Sequence, residues 1–149
     1  MQAVPEGGQS TVPGVEVQLS VRHGRQAVAF YEAAFGAETC FRLGGSDELE
    51  EVVAQLQVGS TRFWVEDESP EHANFSPETL EGATARLLLV VGDPAAMLER
   101  AVASGARQVY PVSERHGWLL GRVVDPFGHH WEIGRPLGPW PPAAREERR

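Results

Sequence analysis

Apolar and polar positions along the chain follow two rhythms, and the sequence of rhythms occurs twice. Residues 15–21, VEVQLSV, read as a strand, and so do residues 85–91, ARLLLVV. After each comes a short polar break, then apolar residues at three- and four-residue steps, the period of one helix face. In the first helix that face is Ala27, Phe30, Tyr31, Ala34 and Phe35, and Gly36 stands where a left-handed residue ends a helix. In the second, Asp93 is the expected N-cap and Pro94 suits the first helical position. Met97, Leu98, Ala101 and Val102 form its expected apolar face, and Gly105 ends it. Val21 and Val91 close the two strands, so segments 15–38 and 85–108 repeat at an offset of about 70 residues.

Three strand-like runs follow each helix: 38–43, 51–58 and 61–66 in the first half, and 108–112, 119–124 and 129–133 in the second. Val58-Gly59-Ser60 and Asp125-Pro126-Phe127-Gly128 supply the last turn of each half; in the second, Asp suits the first turn position, Pro the second and Gly the fourth. Each half therefore reads βαβββ. The expected class is α+β, with two tandem βαβββ modules over residues 14–66 and 84–134 forming one domain. Residues 1–13 read as a flexible N-terminus and residues 67–83 as an acidic, proline-containing linker. Residues 135–149 form a Pro-rich charged tail, with Pro139 and Trp140 expected to pack back on the body.

Composition narrows the function classes. The chain is 42% hydrophobic and 23% charged, enough apolar material for a packed core. A formal net charge of −8 argues against nucleic acid, which needs a basic face. No stretch approaches a membrane span. The first residues lack the cationic start and apolar run of a secretion signal, so the cytoplasm is the expected location. The single cysteine, Cys40, excludes an intrachain disulfide and a Cys-based zinc site, and it reads as a small buried apolar residue rather than a reactive thiol. Neither a GxSxG elbow nor a phosphate-cradling glycine loop occurs.

Candidate chemistry concentrates in residues 125–134, DPFGHHWEIG. Strand alternation puts His130 and Glu132 on one face and His129, Trp131 and Ile133 on the other. His129 reads as a surface or sheet-packing residue and His23 as a local hydrogen-bonding residue; His72 and His116 fall in solvated segments.

The two modules, together with AVAFYEAAFGAE in the first and GRVVDPFGHHWEI at the end, resemble the glyoxalase/bleomycin-resistance/extradiol-dioxygenase superfamily, also called vicinal oxygen chelate. The resemblance covers residues 14–134 and is nearest the subgroup labelled glyoxalase-like or demethylubiquinone-methyltransferase-like. It implies curled, cup-shaped mixed sheets around an open cavity, and a homodimer in which the cavity is held within one chain or shared between two. In the enzymes of the superfamily, a divalent metal is held by one inward residue on the first strand and one on the last strand of each module.

Carried over position by position, the first-strand ligands fall at Glu16 and Arg86, and the last-strand ligand of the second module at Glu132. Its first-module counterpart falls among Arg62, Phe63 and Trp64. Arginine has no lone pair to offer a metal, so the pattern is half kept. The resemblance then implies a cavity floor of Glu16, Arg86 and Glu132, with Trp64, Trp118 and His130 lining it and no cofactor. The expected activity is metal-independent binding, in the manner of bleomycin-resistance proteins that sequester a ligand without chemistry. Its expected partner is an apolar or aromatic small molecule. The alternative is a lyase, isomerase or dioxygenase with a divalent metal on Glu16, Glu132 and His130. A metal-free enzyme using Glu16 or Glu132 as general base ranks last, because a carboxylate paired to arginine is a weaker base.

Overall fold

The computed structural model describes residues 11–47 and 50–143. Most of the expected N-terminal loose stretch, and the charged end of the tail, lie outside them. The expected α+β class and both βαβββ modules are present. The first module is β1 (Val17–Val21), α1 (Gly24–Phe35), β2 (Glu38–Gly44), β3 (Val52–Val58) and β4 (Thr61–Asp67). After a linker carrying the single-turn helix α2 (Pro77–Leu80), the second is β5 (Arg86–Val90), α3 (Pro94–Ala103), β6 (Arg107–Arg115), β7 (Trp118–Val124) and β8 (His130–Pro136). Each module makes an open four-stranded sheet, ordered β1-β4-β3-β2 and β5-β8-β7-β6. The first and last strands of a module pair in parallel and the remaining pairs are antiparallel.

The helix signals act as their chemistry requires. Gly36 adopts φ 67°, its N–H reaching Glu32 O while Ala37 N–H reaches Tyr31 O, so the last carbonyls of α1 are satisfied. Asp93 caps α3 by accepting from Ala96 N–H at 3.1 Å. All five residues of the α1 face are buried. On α3 only part of the expected face is: Leu98 and Ala101 are buried, Met97 is half-buried, and Val102 is 41% exposed, since that side of the helix turns from both sheets. In the linker, Glu68 accepts from Ser76 N–H and the Thr79 hydroxyl and pairs with Arg22 at 3.4 Å, which ties α2 to the end of β1.

Cys40 departs from expectation. β2 is an exposed edge strand, and Cys40 sits at its bulge between Thr39 and Phe41, with Sγ 3.5 Å from Gln57 Oε1. Every residue of β2 is exposed, so no layer packs over it to bury a small apolar side chain.

The buried faces of the two sheets share one core. Phe63 and Val65 of the first sheet and Trp131 and Ile133 of the second join the apolar faces of α1 and α3 in a single cluster. Trp131 meets Phe35, Tyr31 and Phe63 with ring centroids 4.7, 5.5 and 5.7 Å away. At the centre lies a carboxylate. Asp125 is 3% exposed; Oδ1 accepts from Phe127 and His129 N–H at 2.9 and 3.0 Å, and Oδ2 from Tyr31 Oη and Trp131 Nε1 at 2.5 and 2.9 Å. Burial first, and the neighbouring Asp125 charge second, push the Tyr31 hydroxyl well above its ordinary pKa, so it remains a donor. His129, just before β8, closes the junction with its ring Nε2 3.0 Å from Ser20 O on β1.

Two outcomes test this packing. Asp125→Ala strands the Tyr31 hydroxyl and the Trp131 indole in the core, and is expected to cost about 3 kcal/mol or more, against about 1.5–3 kcal/mol for Tyr31→Phe. Denaturant midpoints with unchanged slope would measure both. At Gly121 an added Cβ would lie 2.7 Å from Leu98 Cδ1 and 3.0 Å from Val112 N. Gly121→Ala is therefore expected to lower stability by about 1–3 kcal/mol through overpacking of α3 on its sheet.

Candidate functional site

The faces of the sheets turned away from the core carry the candidate residues. Strand register resolves their alignment. Gln18 lies opposite Trp64 on the parallel pair β1–β4, as Leu88 lies opposite Glu132 on β5–β8. At the repeat offset Gln18 corresponds to Leu88, so Trp64 is the counterpart of Glu132 and Glu16 that of Arg86. The next strand extends the correspondence, for Gln55 faces Trp64 and Arg122 faces Glu132.

The equivalent positions form two three-residue clusters of the same layout. In the first module Glu16 Oε1 accepts from Gln55 Nε2 at 2.8 Å and from Trp64 Nε1 at 3.2 Å. In the second, Glu132 Oε1 accepts from Arg86 Nε at 2.9 Å and from Arg122 Nη2 at 2.7 Å. The acceptor immediately precedes the first strand in one module and lies on the last strand in the other. Arg86 and Glu132 thus meet as expected, whereas the partners of Glu16 belong to its own sheet. Arg122 completes the second cluster and was missed in the sequence. Its signal was alternation on β7, which places it beside Glu132 once the hairpin register is known.

Electrostatics differ between the clusters. Glu132 has a side chain only 16% exposed, and burial alone would raise its pKa. The hydrogen bond and charge of Arg122, with the charge of Arg86, outweigh burial and hold the carboxyl below its ordinary value. It is an anion at neutral pH and a poor base. His130 stands one row away, beside Arg86 in the β5–β8 register. Burial, then the charges of Arg122 and Arg107, lower its pKa, so the ring is neutral at pH 7. Trp64 lies edge-on to Phe41 at 6.1 Å, and Trp118 edge-on to Trp140 at 5.3 Å, which is how the tail packs back on the body.

These residues are a poor fit for a metal. Of the four equivalent positions, Arg86 and Trp64 are donors only. The carboxylates at the other two are each bonded to two neighbouring donors, and a dication at Glu132 would face two guanidinium groups. Among the described residues, no group of three or more His, Cys, Asp or Glu side chains is close enough to hold a metal, so Glu16, His130 and Glu132 do not assemble within the chain.

Similar proteins share this architecture. A family described as a glyoxalase-like domain matches residues 16–134. An uncharacterised protein of Mycobacterium bovis is 31% identical over 129 residues, which span 84% of this chain and 84% of that one. A gene product of Arabidopsis thaliana superposes with a TM-score of 0.64 at 28% identity, over 84% of this chain and 100% of the other. FosX, the fosfomycin resistance protein of Listeria monocytogenes solved with Mn(II) and sulfate, shares the fold with a TM-score of 0.62 at 14% identity, over 87% and 96% of the two chains. With nearly all of both βαβββ modules inside the matched span, this chain belongs to the glyoxalase-like domain family.

Proposed function

We propose that this protein binds a small organic molecule on its open sheet faces without a metal, as a binding or sequestering member of its superfamily. The supporting observation is the capture of Glu132 by Arg86 and Arg122. The carboxylate best placed to hold a metal is already neutralised by two permanent cations. A carboxylate so paired is also a weak base, which favours binding over proton transfer. Trp64 and Trp118, one on each open face, offer flat apolar surface for the ligand.

A second copy of the chain completes the cavity. The open face of the first sheet carries Glu16, Glu38 and Glu66 against Arg62, and that of the second carries Arg86, Arg107, Arg115 and Arg122 against Glu132. The edge strands β1 and β5 border a groove of about 550 Å³, with Val15, Val17, Leu88 and Val90 exposed along it. Such a row of apolar side chains on two unpaired edges fits an isologous contact.

Thermal melts with Zn, Ni, Mn, Co and Fe(II) are expected to show no metal-dependent stabilisation. A stabilising shift that Glu132→Gln abolishes would sink the metal-free reading in favour of a metal-dependent lyase, isomerase or dioxygenase. Sedimentation is expected to report a dimer, and Val90→Asp to shift it toward monomer; a monomeric parent protein would count against the shared cavity.

A further inference from the structure

The open face of the second sheet is a positively charged surface on an acidic chain. Register lays its side chains out in transverse rows. The first row holds Arg107, Val124, His130 and Arg86, and the second Tyr110, Arg122, Glu132 and Leu88. At the far end Arg115 stands beside Trp118. Four arginines therefore surround a single carboxylate on one face of a protein whose formal net charge is −8. One glutamate neutralises only one of these cations, and the surplus persists because guanidinium groups stay charged at any working pH.

Arg86, Arg115 and Arg122 are held rather than free to turn away. Arg122 is fixed by Glu132 on one side and lies over the Tyr110 ring at 5.2 Å, and Arg115 lies over the same ring at 4.3 Å. The side chain of Arg122 is only 23% exposed. Two buried polar atoms in these rows, Arg122 Nε and His130 Nδ1, have no hydrogen-bond partner within the described residues. An unmet buried donor is destabilising, and a bound oxygen atom removes that cost. Arg122 Nε–H is a donor in either case, and the neutral His130 ring can present Nδ1 as a second.

We propose that this face binds the oxyanion head, carboxylate or phosphoryl, of a small aromatic ligand, with Arg86, Arg107 and Arg122 as the charged contacts. The assignment rests on the small-molecule reading above and adds the ligand's chemical class to it. Planar guanidinium forks match two oxygens of a carboxylate or phosphate in a way a neutral ligand cannot use. Tyr110 and Trp118 lie on the same face to take the ring of the ligand.

Calorimetric titration of the full chain with benzoate, phenyl phosphate and neutral benzyl alcohol tests it. At least one of the two anions is expected to bind about tenfold or more tightly than benzyl alcohol, with affinity falling as salt rises. Preference between the anions identifies the head group. Arg107→Gln, which leaves the Glu132 cluster and the core intact, is expected to weaken the anion about tenfold and leave the melting temperature and benzyl alcohol binding unchanged. Benzyl alcohol binding as well as the anions would overturn the oxyanion assignment while the small-molecule reading stands. Unaltered anion affinity in Arg107→Gln, or no binding of either anion, would also overturn it, whereas failure of the metal-free reading would appear separately as metal-dependent stabilisation.

Discussion

The buried carboxylate of Asp125 sets the relation between the two modules. It is the only charged side chain among the buried residues described, and it accepts from four donors. Two are N–H groups of its own turn, one is the indole at the start of β8, and one is the hydroxyl of Tyr31 on α1. A carboxylate in an apolar core is tolerable only when its lone pairs are filled, so the turn, the strand and the opposite module must sit where they do. The aromatic cluster of Tyr31, Phe35, Phe63 and Trp131 then packs around a fixed point. That junction turns Trp131 and Ile133 inward and, by alternation, His130 and Glu132 outward to the open face.

On the open faces the repeat has kept its geometry and changed its charge. Each module joins its first, third and last strands through one carboxylate and two donors. In the first module the donors are an amide and an indole; in the second they are two guanidinium groups. The side chains at these positions are those of an internally satisfied polar face. The first face is left acidic and the second basic. The basic polarity of the second face supports the oxyanion assignment on a chain that is acidic as a whole.

Family membership follows from a match that spans nearly all of both modules. The metal-free proposal and the proposed ligand rest on the side-chain chemistry of a few positions. FosX illustrates why the two must be kept apart, since it shares the fold at 14% identity and was solved with Mn(II). Side chains at equivalent strand positions decide the chemistry, and the backbone admits either outcome.

The sequence alone determined the tandem βαβββ order, the helix ends at Gly36 and Asp93, the turn at Asp125 and the inward or outward sense of β8. All of these are set by local periodicity, capping and turn chemistry within a few residues. It also located Arg86 and Glu132 as partners, through the resemblance. Tertiary structure decided the rest. Cys40 lies exposed because no layer packs over β2, and Val102 because α3 turns that side to solvent. Trp64 rather than Arg62 or Phe63 is the counterpart of Glu132 because strand register depends on hairpin pairing, which no single strand encodes. Arg122 joined the site, and Glu16 found Gln55 and Trp64, because contacts between strands are made only when the sheets are assembled. Asp125, legible as a turn residue, became the centre of the core only when α1 brought Tyr31 to it from 94 positions away.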